Sequence, residues 1–417
     1  MAFSVLLPIG VARAQAPTLD ELWRLVQAQQ REIDALKSRL EAAEASTGAN
    51  RDALVINEER LASTVDYVEG IETRSSTVRT WADRTTVGGY GELHYNNLDA
   101  DDSSRDLKQI DFHRFVLYVG HEFSDRVRLF SEWELEHALA KDTDDGSSSG
   151  EVELEQAFLE FDIDDHHLAR AGLFLVPVGL LNETHEPPTF YGVERNGVEN
   201  VILPTTWWEG GFGFNGRYAN GLSWDFAVHS GLAMPTGGSN AFRVRSGRQK
   251  VSNAAADDLA YTLRGRYTGV AGLQLAATVQ LQTDASQMSG DGLDEGVLLS
   301  LHGTFERGPF GLRALYARWD FDGDAVKAAG ADEQRGWFIE PSYRFKVRRG
   351  ELGLYTRYED VEGARAQDQF EQWELGFNYW PVDNVVFKFD YRNRDHQLDR
   401  DAGRDFHAID FGVGYQF

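Results

Sequence analysis

The chain has 417 residues, 67 of them acidic against 41 basic, giving a formal net charge of −26, and it contains no cysteine. That balance argues against a nucleic-acid partner, and without thiols neither a disulfide framework nor a thiolate metal site can form. Mean hydropathy is −0.43, and beyond the N-terminus no run of about eighteen apolar residues occurs, which excludes a helical membrane span.

Residues Ala2 to Ala16 read as the rear of a secretory signal. Phe3, Val5, Leu6, Leu7, Ile9 and Val11 form a short apolar core, and Ala12-Arg13-Ala14 offers a small-x-small cleavage site, so residues 1–14 are expected to be removed. The basic start of such a signal is missing, which points to a start codon further upstream. From Leu22 a heptad runs through Val26, Gln29, Ile33, Leu36, Leu40 and Ala43, and its frame continues through Leu54, Leu61, Val68 and Ile71. Apolar residues at that spacing make one narrow seam, so residues 17–75 are expected to form an α-helical coiled coil. Thr47, Asn50, Asn57 and Thr64 weaken the second half of the seam, and Gly48 loosens the helix. A single amphipathic helix lying on a barrel mouth remains the alternative. In either form the segment precedes the first strand and is expected to be periplasmic.

Beyond about residue 85 the period changes to two. About sixteen runs follow, each near the ten residues that a tilted strand needs to cross a membrane. They fall at 86–96, 110–123, 127–136, 151–163, 168–176, 208–218, 222–231, 259–268, 273–283, 297–306, 310–320, 337–347, 352–360, 372–380, 385–394 and 405–417. The last run shows the pattern most clearly: Ile409, Phe411, Val413, Tyr415 and Phe417 alternate with Asp410, Gly412, Gly414 and Gln416. Bulky on one face and small or polar on the other, such strands suit lipid outside and water inside. Connection lengths alternate too. Asn220-Gly221, 307–309, 348–350 and 381–384 are short, whereas 137–150, 177–207, 232–258, 287–295 and 360–370 are long. Turns at one end and loops at the other are what a membrane barrel requires, and a soluble sandwich has no reason to segregate them. The expected fold is therefore an all-β transmembrane barrel of about sixteen antiparallel strands over residues 86–417, preceded by the helical segment.

Several features together resemble the porin O/P family, outer-membrane porins named for phosphate-selective members. They are the heptad-like N-terminus, Gly88-Gly89-Tyr90-Gly91-Glu92-Leu93-His94-Tyr95, Phe112-His113-Arg114-Phe115, Val176-Pro177-Val178-Gly179 and the terminal Tyr415-Gln416-Phe417. The resemblance implies a homotrimer in the outer membrane of a Gram-negative bacterium, contact with lipid and lipopolysaccharide, and passive diffusion of small hydrophilic solutes, often anions. It also implies delivery to the barrel-assembly machinery through the terminal aromatic residue. The phosphate-binding lysines and arginines of the family find no residue-by-residue match here, so phosphate itself is not carried over. A cation-preferring general porin and a structural protein tethered to peptidoglycan through the coiled coil stay open as alternatives.

The family likeness makes the connection 177–207 the constriction loop, and its charge is awkward for an anion channel. Glu183, Glu186, Glu194 and Glu199 stand against one arginine, Arg195, with His185 among them. Pairing of these acids with basic groups of the wall would make them props for the loop rather than selectors. On the wall the inward positions include Arg217, Arg264, Arg266, Arg344, Lys346, Arg357, Lys388 and Arg392, mostly in the second half, while Glu132, Glu134, Glu136 and Glu160 lie in the first. Such a partition would set a transverse field across the lumen. The Gly/Ser-rich connection 232–258, with Arg243, Arg245, Arg248 and Lys250, reads as an exposed, mobile loop in preference to an inward anion funnel.

No catalytic residue, cofactor or metal site is expected. Asp162-Ile163-Asp164-Asp165-His166-His167 matches no standard ligand spacing. His185-Glu186-Pro187-Pro188 lacks the second histidine of a zinc helix and its prolines forbid one. A Gly-x-Ser-x-Gly elbow is missing, which argues against an outer-membrane hydrolase.

Overall fold

The computed structural model describes residues 81–140, 150–398 and 403–417, together with Gln27, Gln30 and Lys37, which are helical. Residues 1–80 form one unit and 81–417 another. The expected signal segment and most of the expected coiled coil lie outside the described residues.

Among the described residues, sixteen antiparallel strands close into one barrel, each paired with its neighbours in sequence, and β1 pairs with β16. They are β1 (Thr85–Ala100), β2 (Leu107–Ser124), β3 (Val127–Glu136), β4 (Val152–Asp162), β5 (His167–Leu175), β6 (Trp208–Arg217), β7 (Leu222–His229) and β8 (Ala260–Val270), followed by β9 (Leu273–Gln282), β10 (Gly296–Arg307), β11 (Phe310–Phe321), β12 (Glu333–Lys346), β13 (Glu351–Glu362), β14 (Gln369–Val382), β15 (Val385–His396) and β16 (Phe406–Gln416). Closure leaves no strand edge with unpaired backbone groups, the condition for strands to cross lipid.

Period two decides which side chains meet lipid. Val87, Phe212, Leu263, Leu375 and Phe411 project outward and are exposed, whereas Glu92, Asn215, Thr278, Glu374 and Asp410 point into the barrel and are buried. Exposed aromatic residues gather near both rims, with Phe123, Tyr218, Phe310 and Tyr343 at the short-turn end and Trp133, Trp337 and Trp373 nearer the long-loop end. Rings of this amphipathic kind sit favourably at the lipid–water boundary.

The seam between first and last strands explains the glycines at 88–91. Phe417 N–H donates to Gly89 O at 2.8 Å and Gly89 N–H returns the bond to Phe417 O at 2.9 Å. A Cβ at Gly89 would stand 2.2 Å from Val116 O and 3.1 Å from the Phe417 ring, and one at Gly91 would stand 2.6 Å from Tyr415 Oη. The glycines are the floor on which the terminal aromatics lie.

Two expectations are corrected. β12 begins at Glu333 and β13 runs to Glu362, so the sheet extends past the run expected at 337–347 and the following loop is shorter. Among the added residues Gln334, Gly336 and Val361 are buried inward, whereas the charged Glu333, Arg335 and Glu362 lie at the long-loop rim. They neutralise one another there: Arg318 meets Glu333 at 3.1 Å, and Arg335 meets Glu362 at 2.9 Å. The second correction concerns the connection 232–258, which is not an exposed loop. Leu232, Met234, Phe242 and Val244 are buried in one apolar cluster with Val198, Ile202, Leu203 and Trp207 of the preceding long connection. Inward residues of β10 to β12, among them Leu298, Leu315, Trp319 and Phe338, complete that cluster. The lumen near the long-loop end thus holds a dry core on one side.

Candidate functional site: the lumen and its inward loop

The connection between β5 and β6 enters the barrel and is held there by its own backbone as much as by its side chains. Asn182 ties its base, donating to Val176 O at 2.7 Å and accepting from Trp207 N–H at 2.7 Å. Glu199 ties its interior: one carboxylate oxygen accepts Leu180 N–H at 2.6 Å and Leu181 N–H at 2.7 Å, and the other accepts from Asn196 at 2.9 Å. Burial pushes the Glu199 carboxyl above its usual range, against those donors.

The wall supplies the remaining partners. Lys388 Nζ donates to Gly192 O at 2.8 Å, Asn378 to Phe190 O at 2.9 Å, Trp380 Nε1 to Pro188 O at 3.1 Å and Arg313 to Thr189 O at 2.7 Å. In the reverse sense, Asp390 accepts Val193 N–H and Glu359 accepts Gly197 N–H, both at 2.7 Å. From above, Arg245 donates to Thr205 O at 2.8 Å, and Arg248 donates to Thr206 O. Arg245 and Arg248 of the 232–258 connection therefore hold the inward loop, while Arg243 lies 3.9 Å from Asp368 and Lys250 pairs with Glu151 and Glu153.

The loop acids are spent on structure. Glu183 pairs with Arg264, Glu194 accepts from Asn96 at 2.9 Å and lies 3.2 Å from His94 Nδ1, and Glu186 accepts from Tyr118 Oη at 3.4 Å. Arg195 differs, since its Nη2 is buried without a hydrogen-bond partner.

All eight wall cations named above sit on inward positions, yet four of them are neutralised between neighbouring strands. Arg357 lies opposite Glu374 in register and bonds it at 2.5 Å, with Glu340 at 2.9 Å on its other side. Arg264 lies opposite Asp225 and bonds it at 2.9 Å; Arg392 bonds Asp410 at 2.7 Å, and Arg344 bonds Glu351 at 2.6 Å. On the acidic side Arg114 meets Glu92 at 2.8 Å and Glu134 at 3.2 Å. The simple division into a basic and an acidic wall is thus corrected: opposite charges on adjacent strands cancel locally, because directly opposed residues lie about 5 Å apart and diagonal ones about 7–8 Å apart, within reach of an arginine. Arg217 and Lys346 remain exposed, and Arg266 is half-buried.

Two polar cavities open beside the loop toward the short-turn end. One, of about 210 Å³, includes Glu183, Arg264, Arg266, His302, Glu306 and Arg313 in its lining. The other, of about 310 Å³, includes Glu306, Arg313, Arg344, Lys346, Glu351 and Trp380. A larger apolar groove of about 880 Å³ along β8 to β12 includes the outward residues Leu275, Leu301, Leu312 and Ile339 in its lining; its place on the outer face makes it a surface for acyl chains.

The acidic motif at 162–167 is a turn. Asp164 accepts His166 N–H at 2.8 Å and His167 N–H at 2.9 Å, and these bonds with the His167 ring hold its pKa down at about 2.

A closed barrel with an apolar exterior, a charged interior and a loop folded into the lumen defines a diffusion channel of the outer membrane. The chain belongs to the phosphate-selective porin O and P family, whose model matches residues 86–417, and it is an outer-membrane porin. An uncharacterized protein of Aquifex aeolicus (strain VF5) is 30% identical over 353 residues, spanning 76% of this chain and 77% of that one. Among solved structures, an anion-selective porin from Comamonas acidovorans is similar with a TM-score of 0.55 at 12% identity, over 80% of this chain and 99% of that one. The outer membrane channel DcaP of Acinetobacter baumannii gives 0.52 at 14% identity, over 80% and 97%. At those identities the likeness is one of fold.

Proposed function

We propose that this porin passes small hydrophilic solutes passively and prefers small anions, phosphate among them. The observation that carries the reading is the charge left over in the two cavities. Once Glu183 is paired with Arg264 and Glu351 with Arg344, the ionised side chains remaining in their linings are Arg266, Lys346 and Arg313, the last also 4.0 Å from Glu340 behind it, against Glu306. A basic excess beside the constriction raises the local anion concentration and favours anion passage.

Zero-current potential in planar bilayers under a potassium chloride gradient tests this. The wild-type protein should give a potential of anion-selective sign, and Arg266→Glu with Arg313→Glu should move it toward cation selectivity. A cation-selective wild type would instead favour the cation-preferring general porin. Inorganic phosphate added to one side should reduce the chloride current if the two anions share the path.

The same reading takes the protein as a homotrimer, with residues 17–75 as a periplasmic coiled coil. The unbroken heptad frame and the helical Gln27, Gln30 and Lys37 support it. Deleting 22–71 and measuring mass in detergent separates the options: loss of the trimer makes the segment an assembly device. An intact trimer with unchanged conductance and a weakened envelope favours a tether to peptidoglycan.

A further inference from the structure

On the wall of β3 and β4 the inward loop brings together three groups that the channel reading leaves unused. Glu132 projects from β3, Glu155 from β4 and His185 from the loop, and all three side chains are buried to within a few per cent. His185 Nε2 stands 3.6 Å from Glu132 Oε1 and 3.6 Å from Glu155 Oε2. That is too long for a hydrogen bond, and all three atoms are buried without a hydrogen-bond partner. Three donor atoms each about 2.1 Å from a tetrahedral zinc ion would lie about 3.4 Å from one another. The two histidine–carboxylate separations fit a shared ion better than a proton, and the three donor atoms all lie within 4.8 Å of one another.

Every atom behind these three is already committed. Gln156 donates to Glu132 Oε2 at 2.6 Å, and Thr206 Oγ1 donates to Glu155 Oε1 at 2.7 Å. His185 Nδ1 lies 3.2 Å from Asn182 O, which as acceptor fixes the tautomer whose Nε2 lone pair faces the two carboxylates. Outer partners of this kind, one for each ligand, orient metal-binding side chains and raise imidazole basicity. Tyr90, whose hydroxyl is also buried without a partner, packs edge-on to the imidazole with 5.8 Å between ring centroids. Glu155 reaches this position through a bulge. Glu132 pairs with Gln156 and Trp133 with Leu154, so Glu155 is the extra residue between two consecutive partners. Bulges re-aim side chains in this way beside functional sites.

We propose that Glu132, Glu155 and His185 form a binding site for a divalent transition-metal cation of the zinc class, which fastens the inward loop to the β3–β4 wall. Two carboxylates and a neutral imidazole carry a charge of minus two, which the ion neutralises. Imidazole in the set favours zinc or its first-row neighbours over magnesium or calcium. The neighbouring Asp111, His113 and His137 are a weaker competitor. Their separations of 3.1 and 2.8 Å are those of hydrogen bonds already made, and His137 is exposed.

The test uses the full chain in detergent, stripped with chelator and titrated with zinc chloride, with bound metal counted after gel filtration. One zinc per chain should survive in the wild type. His185→Ala and Glu155→Gln should each weaken retention at least tenfold, whereas Asp111→Asn with His137→Ala should leave that zinc in place. X-ray absorption at the zinc edge should show one imidazole in a shell of light atoms, a readout that requires no variant to fold. A wild type that retains no zinc, or zinc retained equally by His185→Ala, overturns the proposal. The cluster is then an imidazolium held between two carboxylates.

Discussion

At the scale of single residues, the lumen of this porin is organised by which strand positions face each other. Arg357 makes the point: directly opposite Glu374 and next to Glu340, it is 2% exposed and sits between two buried carboxylates. Removing the cation leaves both acids uncompensated in a place where water is scarce. Arg357→Leu should therefore lower stability by about 3–5 kcal/mol, read as a lower temperature at which the heat-modifiable gel mobility changes. Adding Glu340→Gln and Glu374→Gln to the same variant should restore much of the loss; if it restores none, the arginine's packing and not its charge holds this site. Which residues face inward was legible from period two alone, and Arg264, Arg344, Arg357, Lys388 and Arg392 all lie where it puts them. Their partners were not legible, because a cross-strand neighbour is set by register, and register depends on bulges such as the one at Glu155.

At the scale of elements, the inward loop is a separate structural problem from the barrel around it. In the sequence its acids read either as selectors or as props for the loop, and Glu199 is an internal strut whose carboxylate gathers the loop's own backbone. Glu199→Gln keeps the shape and removes the charge from two bonds to backbone N–H groups, a loss of about 1–3 kcal/mol confined to the loop. The expected outcome is an intact barrel, seen as unchanged circular dichroism and heat-modifiability, with larger and noisier single-channel conductance. A silent variant would show that the wall bonds from Lys388, Asn378 and Arg313 suffice. The inward fold of residues 232–258 escaped the sequence for a related reason. Its apolar residues fall in two short pairs, Leu232 with Met234 and Phe242 with Val244, separated by glycines and serines, too brief to mark them as one buried face. They become a face only against Ile202, Trp207 and Trp319, which come from elsewhere in the chain. A metal-ligand set drawn from β3, β4 and the loop is equally silent, since no spacing in the chain announces it.

At the scale of the whole molecule, the barrel was legible because two independent signals, alternation and the segregation of short turns from long loops, are both imposed by the membrane. Selectivity has no such pattern behind it. It depends on a small difference between charges that mostly cancel: the chain carries a net −26, yet Arg266, Arg313 and Lys346 outnumber Glu306 in the cavities beside the constriction. A preference built on a diffuse excess of this kind works through water and is open to screening, whose range shrinks from about 10 Å at 0.1 M salt to about 3 Å at 1 M. Anion selectivity measured at a fixed tenfold gradient should therefore fall steeply as the mean salt concentration rises across that range. In Arg266→Gln with Arg313→Gln the low-salt selectivity should already be near the high-salt value. A selectivity that holds unchanged at 1 M would mean that anions are gripped at short range by a desolvated group, and Arg195, with its buried and unpartnered Nη2, is where that grip would be sought.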